Sequence, residues 1–164
     1  SLTKQSKTDE LTGVLNRRGF YEFGQRTLDI IQEMEHAGIV FFADMDNLKK
    51  INDTYGHDAG DEAIKLLAQI FKDVFRNNDV IGRLGGDEFG IVASGMVIEH
   101  VPLIRKKIDE TCKKISKQEK LPYTLSVSVG YASLEKSSLL KQLMSEADVL
   151  LYKEKRKKHG RKKS

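Results

Sequence analysis

Asp44 and Asp46 stand two residues apart at the end of the branched and aromatic run Ile39 to Ala43. A short continuous apolar run of this kind reads as a buried strand. The period of two along a strand then turns both carboxylates to the same side of a sheet. Asp87 and Glu88 follow Gly85-Gly86 between two further apolar stretches, Val80 to Leu84 and Phe89 to Ala93, the pattern of a β-hairpin with an acidic turn. With that hairpin beside the first strand, three or four carboxylates converge, and their mutual repulsion is costly without a cation. Hard oxygen ligands suit Mg²⁺ or Mn²⁺, which take one or two carboxylates together with substrate phosphates. The chemistry outlined is metal-assisted phosphoryl transfer. Spacing alone leaves open that these acidic residues are simply solvated, and that the paired glycines serve only the turn.

The elements that must hold these groups are readable from periodicity. Phe20, Phe23, Leu28, Ile31 and Met34 recur at mostly helical spacing from Arg17 to about Glu35, and Gly38 ends the run. After the first strand comes a short helical segment, Leu48 to Asp53, then a loop from Tyr55 to Gly60. A second long helix carries Ile64, Leu67, Ala68, Phe71, Val74 and Phe75. Beyond the hairpin, Val101, Ile104, Ile108 and Ile115 mark a helix, Leu125, Val127 and Val129 a strand, and Leu139, Leu143, Ala147, Leu150 and Leu151 a last helix. The order α-β-α-α-β-β-α-β-α predicts a mixed central sheet wrapped by helices, in the α/β or α+β class.

Composition narrows the function classes. The chain has 164 residues, 28 Lys plus Arg against 24 Asp plus Glu, and one cysteine, the profile of a single domain with a core of its own. Cys112 alone makes no disulfide framework or cysteine metal cluster. The net charge of +4 belongs to the C-terminus: Lys153 to Ser164 carry eight cations and one Glu, leaving the remainder mildly acidic. Residues 156–164 are expected to form a solvated, frayed basic tail; a nucleic-acid contact through it is the rival expectation. The longest uninterrupted apolar run, Ile39 to Ala43, is far too short to span a bilayer, and no signal segment opens the chain. Since the chain begins on Ser1, it is expected to be a piece of a longer signalling protein. The expected location is cytoplasmic, with any membrane anchor lying outside these residues.

Gly85-Gly86-Asp87-Glu88-Phe89 spells the signature of the GGDEF domain, the diguanylate cyclase family. Asp9-Glu10-Leu11-Thr12-Gly13-Val14-Leu15-Asn16-Arg17-Arg18 resembles the family's opening segment, and Asp44-Met45-Asp46-Asn47-Leu48-Lys49-Lys50-Ile51-Asn52-Asp53 its metal and phosphate segment. Tyr55-Gly56-His57-Asp58, Gly60-Asp61 and Ser126-Val127-Ser128-Val129-Gly130 fit in order, so the resemblance runs from about Asp9 to Lys155. It implies a fold similar to the nucleotidyl cyclases and polymerase palms, and condensation of two GTP into cyclic di-GMP by a Mg²⁺-dependent homodimer.

Residue by residue, the resemblance implies that Asp44, the Met45 carbonyl and Asp87 bind metal, with Glu88 completing the cluster and Asp87 also accepting the 3′-hydroxyl proton. The backbone of Asn47 and Leu48, the Lys49 side chain and Lys155 look like phosphate contacts, and Gly85 and Gly86 look like substrate-binding positions. Asn52 and Asp61 match guanine-reading positions; guanine's N1–H and N2–H₂ are donors that a carboxylate accepts and adenine does not offer in that pattern. His57 matches a third substrate-facing position, or holds its own loop. Arg76 and Asp79, in Arg-x-x-Asp register before Gly85, resemble the inhibitory product site, a surface ion pair being the plain alternative. The family's closing Gly-Arg pair is displaced here to Gly160-Arg161, leaving open which of Arg156, Lys158 and Arg161 is the second phosphate cation. The resemblance implies no nucleic-acid partner and no membrane contact by this domain. A non-catalytic GTP or cyclic di-GMP sensor is the alternative function.

Overall fold

Alternation along one strand organises the computed structural model, which describes residues 6–162. Strand β1 (Gly38–Met45) sends Ile39, Phe41, Ala43 and Met45 into one apolar core and Val40 and Phe42 toward a second, on the opposite face. Helices α3 (His57–Val74) and α4 (Val101–Gln118) cover the first face, through Leu67, Ile70, Phe71, Ile104 and Ile108. Helices α1 (Arg17–Glu33) and α5 (Leu140–Lys162) cover the second, through Phe20, Leu28, Leu143, Met144 and Ala147. Cys112 is buried on α4 in the first core, the apolar role its helical spacing suggests.

The class is the expected α/β one, and the sheet order is β2-β3-β1-β4, with β2 at Val80–Gly85, β3 at Glu88–Ser94 and β4 at Val127–Ser133. All three pairings are antiparallel; the parallel contact expected of a mixed sheet is confined to the isolated bridge between Leu15 and Gly82. The connectivity explains why. Each helical crossover returns the chain parallel to the strand it left, but β3 separates β2 from β1, and β1 separates β4 from β3, so parallel strands never touch.

Two local readings change. The expected loop from Tyr55 to Gly60 is a break at Gly56 alone, between α2 (Leu48–Tyr55) and α3; its φ of 97° suits glycine and reverses the chain in one residue. Through Lys162 the basic tail is helical rather than frayed, with Lys155 and Lys158 on the inner face anchored on Asp44 and Asp46 at the end of β1; residues 163–164 of the expected tail lie outside the described residues. Among the described residues no helix is long and apolar enough to cross a membrane.

Candidate active site

Asp44 sits at a β1 position sharing the face of Val40 and Phe42, and lies opposite Glu88 on β3 and Ser128 on β4. The hairpin pairs Gly85 with Glu88 and leaves Gly86 and Asp87 as its tip, so Asp87 stands beside the end of β1, where the Met45 N–H donates to the Asp87 carbonyl at 3.3 Å. Burial pushes the Asp44 carboxyl up to about 8, and the Asp87 carboxyl within hydrogen-bonding reach adds to the shift, against the opposing pull of Lys155. Its Oδ1 is buried and has no hydrogen-bond partner among the described residues. Glu88 is also raised, by burial first and then by the charges of Asp87 and Asp148.

Helix α5 brings cations to this cluster. Its sheet-facing stripe is apolar at Leu143, Ala147 and Leu151, then continues at helical spacing as Lys155 and Lys158. Gly130 makes the approach possible, since a Cβ there would lie 1.8 Å from the Ala147 carbonyl oxygen. Lys155 Nζ reaches 3.3 Å from Asp44 Oδ2, 3.5 Å from Asp46 Oδ1 and 3.3 Å from the Met45 carbonyl. The two aspartates therefore do share a side of the sheet.

They do not share a role. Asp46 accepts from Ser126 Oγ at 2.6 Å, Ser128 Oγ at 2.7 Å and Lys158 Nζ at 2.8 Å. Burial alone would raise its carboxyl; these three donors outweigh burial and hold it below the ordinary value. Consequently no three His, Cys, Asp or Glu side chains form a ready metal cage among the described residues, and the fourfold convergence of carboxylates expected from spacing narrows to Asp44, Asp87 and the neighbouring Glu88. Such a set suits a cation that completes its shell with phosphate and water; the orphaned Asp44 oxygen marks where a partner is missing.

The residues expected to touch the nucleotide fall into two groups. Asn52 on α2 and Asp61 on α3 are adjacent through Gly60: a Cβ at Gly60 would lie 1.8 Å from Asn52 Oδ1. Asp61 and His57 are exposed, and among the described residues no hydrogen bond ties the His57 side chain to its loop. Asn47 takes a left-handed conformation, φ 67°, at the start of α2. Lys49 is directed outward, 91% exposed and paired with Asp53 at 3.0 Å, rather than with any site carboxylate. Gly86 has nothing within 4 Å of where a Cβ would be, while Gly85 is crowded only by Glu88.

Arg76 and Asp79 lie at the far end of the hairpin from Asp87. Asp79 accepts from the Arg76 N–H at 3.0 Å and the Ser94 N–H at 3.2 Å, and the Arg76 guanidinium donates to the Ser94 carbonyl. Together with Asn77 and Asn78 they line a cavity of ≈ 410 Å³. Sequence reasoning assigned no role to the Arg83 guanidinium, which reaches the Asp9 carboxylate at 3.2 Å, to Ser126 and Ser128, or to Glu154, which accepts the Val129 N–H at 3.0 Å. The alternation Ser126-x-Ser128 was the available signal for the serines, since period two in extended chain puts Ser128 of β4 and Ser126, one residue before that strand, on one side.

The family model described as diguanylate cyclase, GGDEF domain, matches residues 6–161. The chain is 35% identical over 156 residues to the probable diguanylate cyclase DgcC of Escherichia coli, and 30% identical over 160 residues to diguanylate cyclase DgcP of the same organism. These alignments cover 94% and 96% of the chain but 42% and 47% of those proteins, so the chain spans less than half the length of either. Among solved structures it resembles the GGDEF domain of PA1120 from Pseudomonas aeruginosa, with a TM-score of 0.80 at 28% identity, covering 92% of this chain and 89% of that one. It also resembles the GGDEF domain of DgcB from Caulobacter crescentus, solved in complex with c-di-GMP, with a TM-score of 0.77 at 25% identity and coverage of 95% and 94%.

Proposed function

The chain belongs to the family of diguanylate cyclase GGDEF domains, and from that premise we propose that it condenses two molecules of GTP into cyclic di-GMP and two pyrophosphates. The observation that carries the reading is the pairing of Asp44 with Asp87 at the mouth of the hairpin, one buried Asp44 oxygen lacking a partner. Asp44, the Met45 carbonyl and Asp87 would hold a divalent cation, Mg²⁺ or Mn²⁺, with Glu88 adding negative charge. When bound, the metal supplies charge stabilisation for the attacking 3′-oxygen and the departing pyrophosphate.

The chain's own groups do the rest. The first N–H groups of α2, at Leu48 and Lys49, are unused by the helix and suit phosphate oxygens. Gly86 keeps the space above the hairpin tip open for them. Lys155 contributes a mobile point charge; Lys49 joins it only by releasing Asp53, an exposed pair of small worth. Asn52 and Asp61 read guanine, with His57 at the rim. Asp87 accepts the proton of the 3′-hydroxyl.

Each 3′-hydroxyl must attack the α-phosphorus of the other GTP, so a two-fold pair of domains satisfies both attacks identically. The product in turn suits Arg76 and Asp79: the guanidinium has five N–H donors, and one is committed to Ser94. Inhibition there would couple two distinct sites rather than compete with GTP. The domain's place is the cytoplasm, where GTP is supplied. A sensor module that binds nucleotide without turnover is the second reading, favoured by the two lysines already set among the carboxylates. Incubation with GTP and Mg²⁺ followed by identification of the products separates the two.

A further inference from the structure

Two lysines one helical turn apart meet two aspartates, and the pairing is unequal. Lys158 Nζ lies 2.8 Å from Asp46 Oδ2 and 2.7 Å from the Val127 carbonyl. Ser128 Oγ on β4 donates to Asp46 Oδ1, and Ser126 Oγ, just before that strand, to Oδ2. Lys155, by contrast, stands 3.3 Å from Asp44 Oδ2 and from the Met45 carbonyl, and 3.5 Å from Asp46 Oδ1. It already pairs with Asp44 and leans less closely on Asp46. Farther along the same edge, Glu154 accepts the Val129 N–H at 3.0 Å and Arg105 donates to the Val129 carbonyl at 3.0 Å. These contacts fix the register of α5 against β4.

We propose that Lys158 is a positioning residue: by neutralising Asp46 through Oδ2 it weakens the pull of that carboxylate on Lys155, which faces Oδ1, and so leaves the Lys155 ammonium on Asp44 and the Met45 carbonyl, where phosphates arrive. Lys158 is thus not the second phosphate cation that its place in the C-terminal segment suggests. Its ammonium has two donors in use on protein acceptors, and its side chain is about as enclosed as that of Lys155, each 32% exposed. Removal of Lys158 leaves Asp46, whose side chain is 12% exposed, without its nearest cation. Lys155 then needs less than an ångström of movement to take over the carboxylate. A competing ammonium is turned into a spectator of the phosphates.

The functional consequence rests on the nucleotide reading of the site, but the lysine relationship does not, and two measurements keep them separate. A crystal structure of Lys158→Ala in metal-free buffer is expected to show Lys155 Nζ within hydrogen-bonding distance of Asp46 and withdrawn from the Met45 carbonyl. An unmoved Lys155 overturns the proposal whatever the protein binds. Calorimetric titration of GTP in EDTA then gives the coupling. Lys158→Ala should weaken binding about tenfold, Lys158→Arg should restore most of it, and the Lys158→Ala loss should shrink to threefold or less when Asp46→Asn is already present, since the competitor for Lys155 is gone. An equal loss in both backgrounds makes Lys158 a phosphate contact or a plain brace, and overturns the inference. A Lys155 that moves in a protein to which GTP binds neither in EDTA nor with Mg²⁺ supports the positioning relationship and removes the nucleotide reading.

Discussion

Asp9 and Arg83 pair across 74 residues of chain: the Arg83 guanidinium reaches the Asp9 carboxylate at 3.2 Å through Nη1 and donates through Nε to the Gly86 carbonyl at 2.9 Å. Thr12 holds the other side of the carboxylate by its N–H and hydroxyl, at 3.0 and 2.7 Å. Although burial raises the Asp9 carboxyl, these bonds outweigh it and keep it below its ordinary value. The opening segment is therefore bolted to the tip of the hairpin that carries Asp87.

Arg83→Lys keeps the charge but cannot span both acceptors with a planar fork. It should lower kcat about tenfold by loosening Gly86, with the protein still folded by circular dichroism. Asp9→Asn should lower stability by roughly 1.5–3 kcal/mol, the worth of a hydrogen bond to a charged group, read from the denaturant midpoint. Unchanged kcat in Arg83→Lys would mean that the tip is held by the ladder alone.

The Asp44 carboxyl stands well above its value in an unfolded chain. A raised folded-state value favours the protonated form, so its contribution to stability is full below about pH 4, the ordinary carboxylate range, and is lost as pH rises toward about 8. In EDTA the melting temperature of the parent should fall between pH 5 and pH 8 relative to Asp44→Asn, and Mg²⁺ should restore more at pH 8 than at pH 5, because the cation displaces the proton. Parallel profiles for the two proteins would remove this account of the site's charge.

In the proposed reading, Asp61 is the carboxylate that accepts from guanine's donors. Asp61→Ser should lower the preference for GTP over ATP by about one to two decades, given roughly 1.5–3 kcal/mol for such bonds. Competition binding with both nucleotides checks it, and an unchanged ratio would place base reading elsewhere.

Arg76→Ala should abolish tight product binding while initial GTP turnover stays within a few fold of the parent, since the hairpin's length separates Ser94 from Asp87. Progress curves of the parent should bend before GTP is exhausted, and those of the variant should not. Because Arg76 also donates to the Ser94 carbonyl, a modest fall in melting temperature should accompany the change. Equal product affinity in the two proteins would reduce Arg76 to that structural bond.

The fold was legible because β1, β2 and β3 are short apolar runs, alternation at Leu125, Val127 and Val129 marks β4, and α1, α3 and α5 keep one apolar stripe each. Lys155 and the hairpin tip were legible through local motifs. Asp46 was not, since its proximity to Asp44 in sequence said nothing of Ser128 and Lys158, which β4 and α5 bring from 82 and 112 residues away. The same limit hid Arg83, whose acceptors lie in two different segments, and made a solvated tail of residues that the site carboxylates order into helix.

The central claim meets its most direct test in the products formed from GTP and Mg²⁺ at several protein concentrations, separated by chromatography. The account predicts cyclic di-GMP with two pyrophosphates per molecule, a specific rate that rises with concentration as domains pair, and a loss of at least about tenfold, one decade being roughly 1.4 kcal/mol, in Asp44→Ala and in Glu88→Ala. GTP recovered intact at every concentration, or a rate unaffected by either substitution, would contradict it.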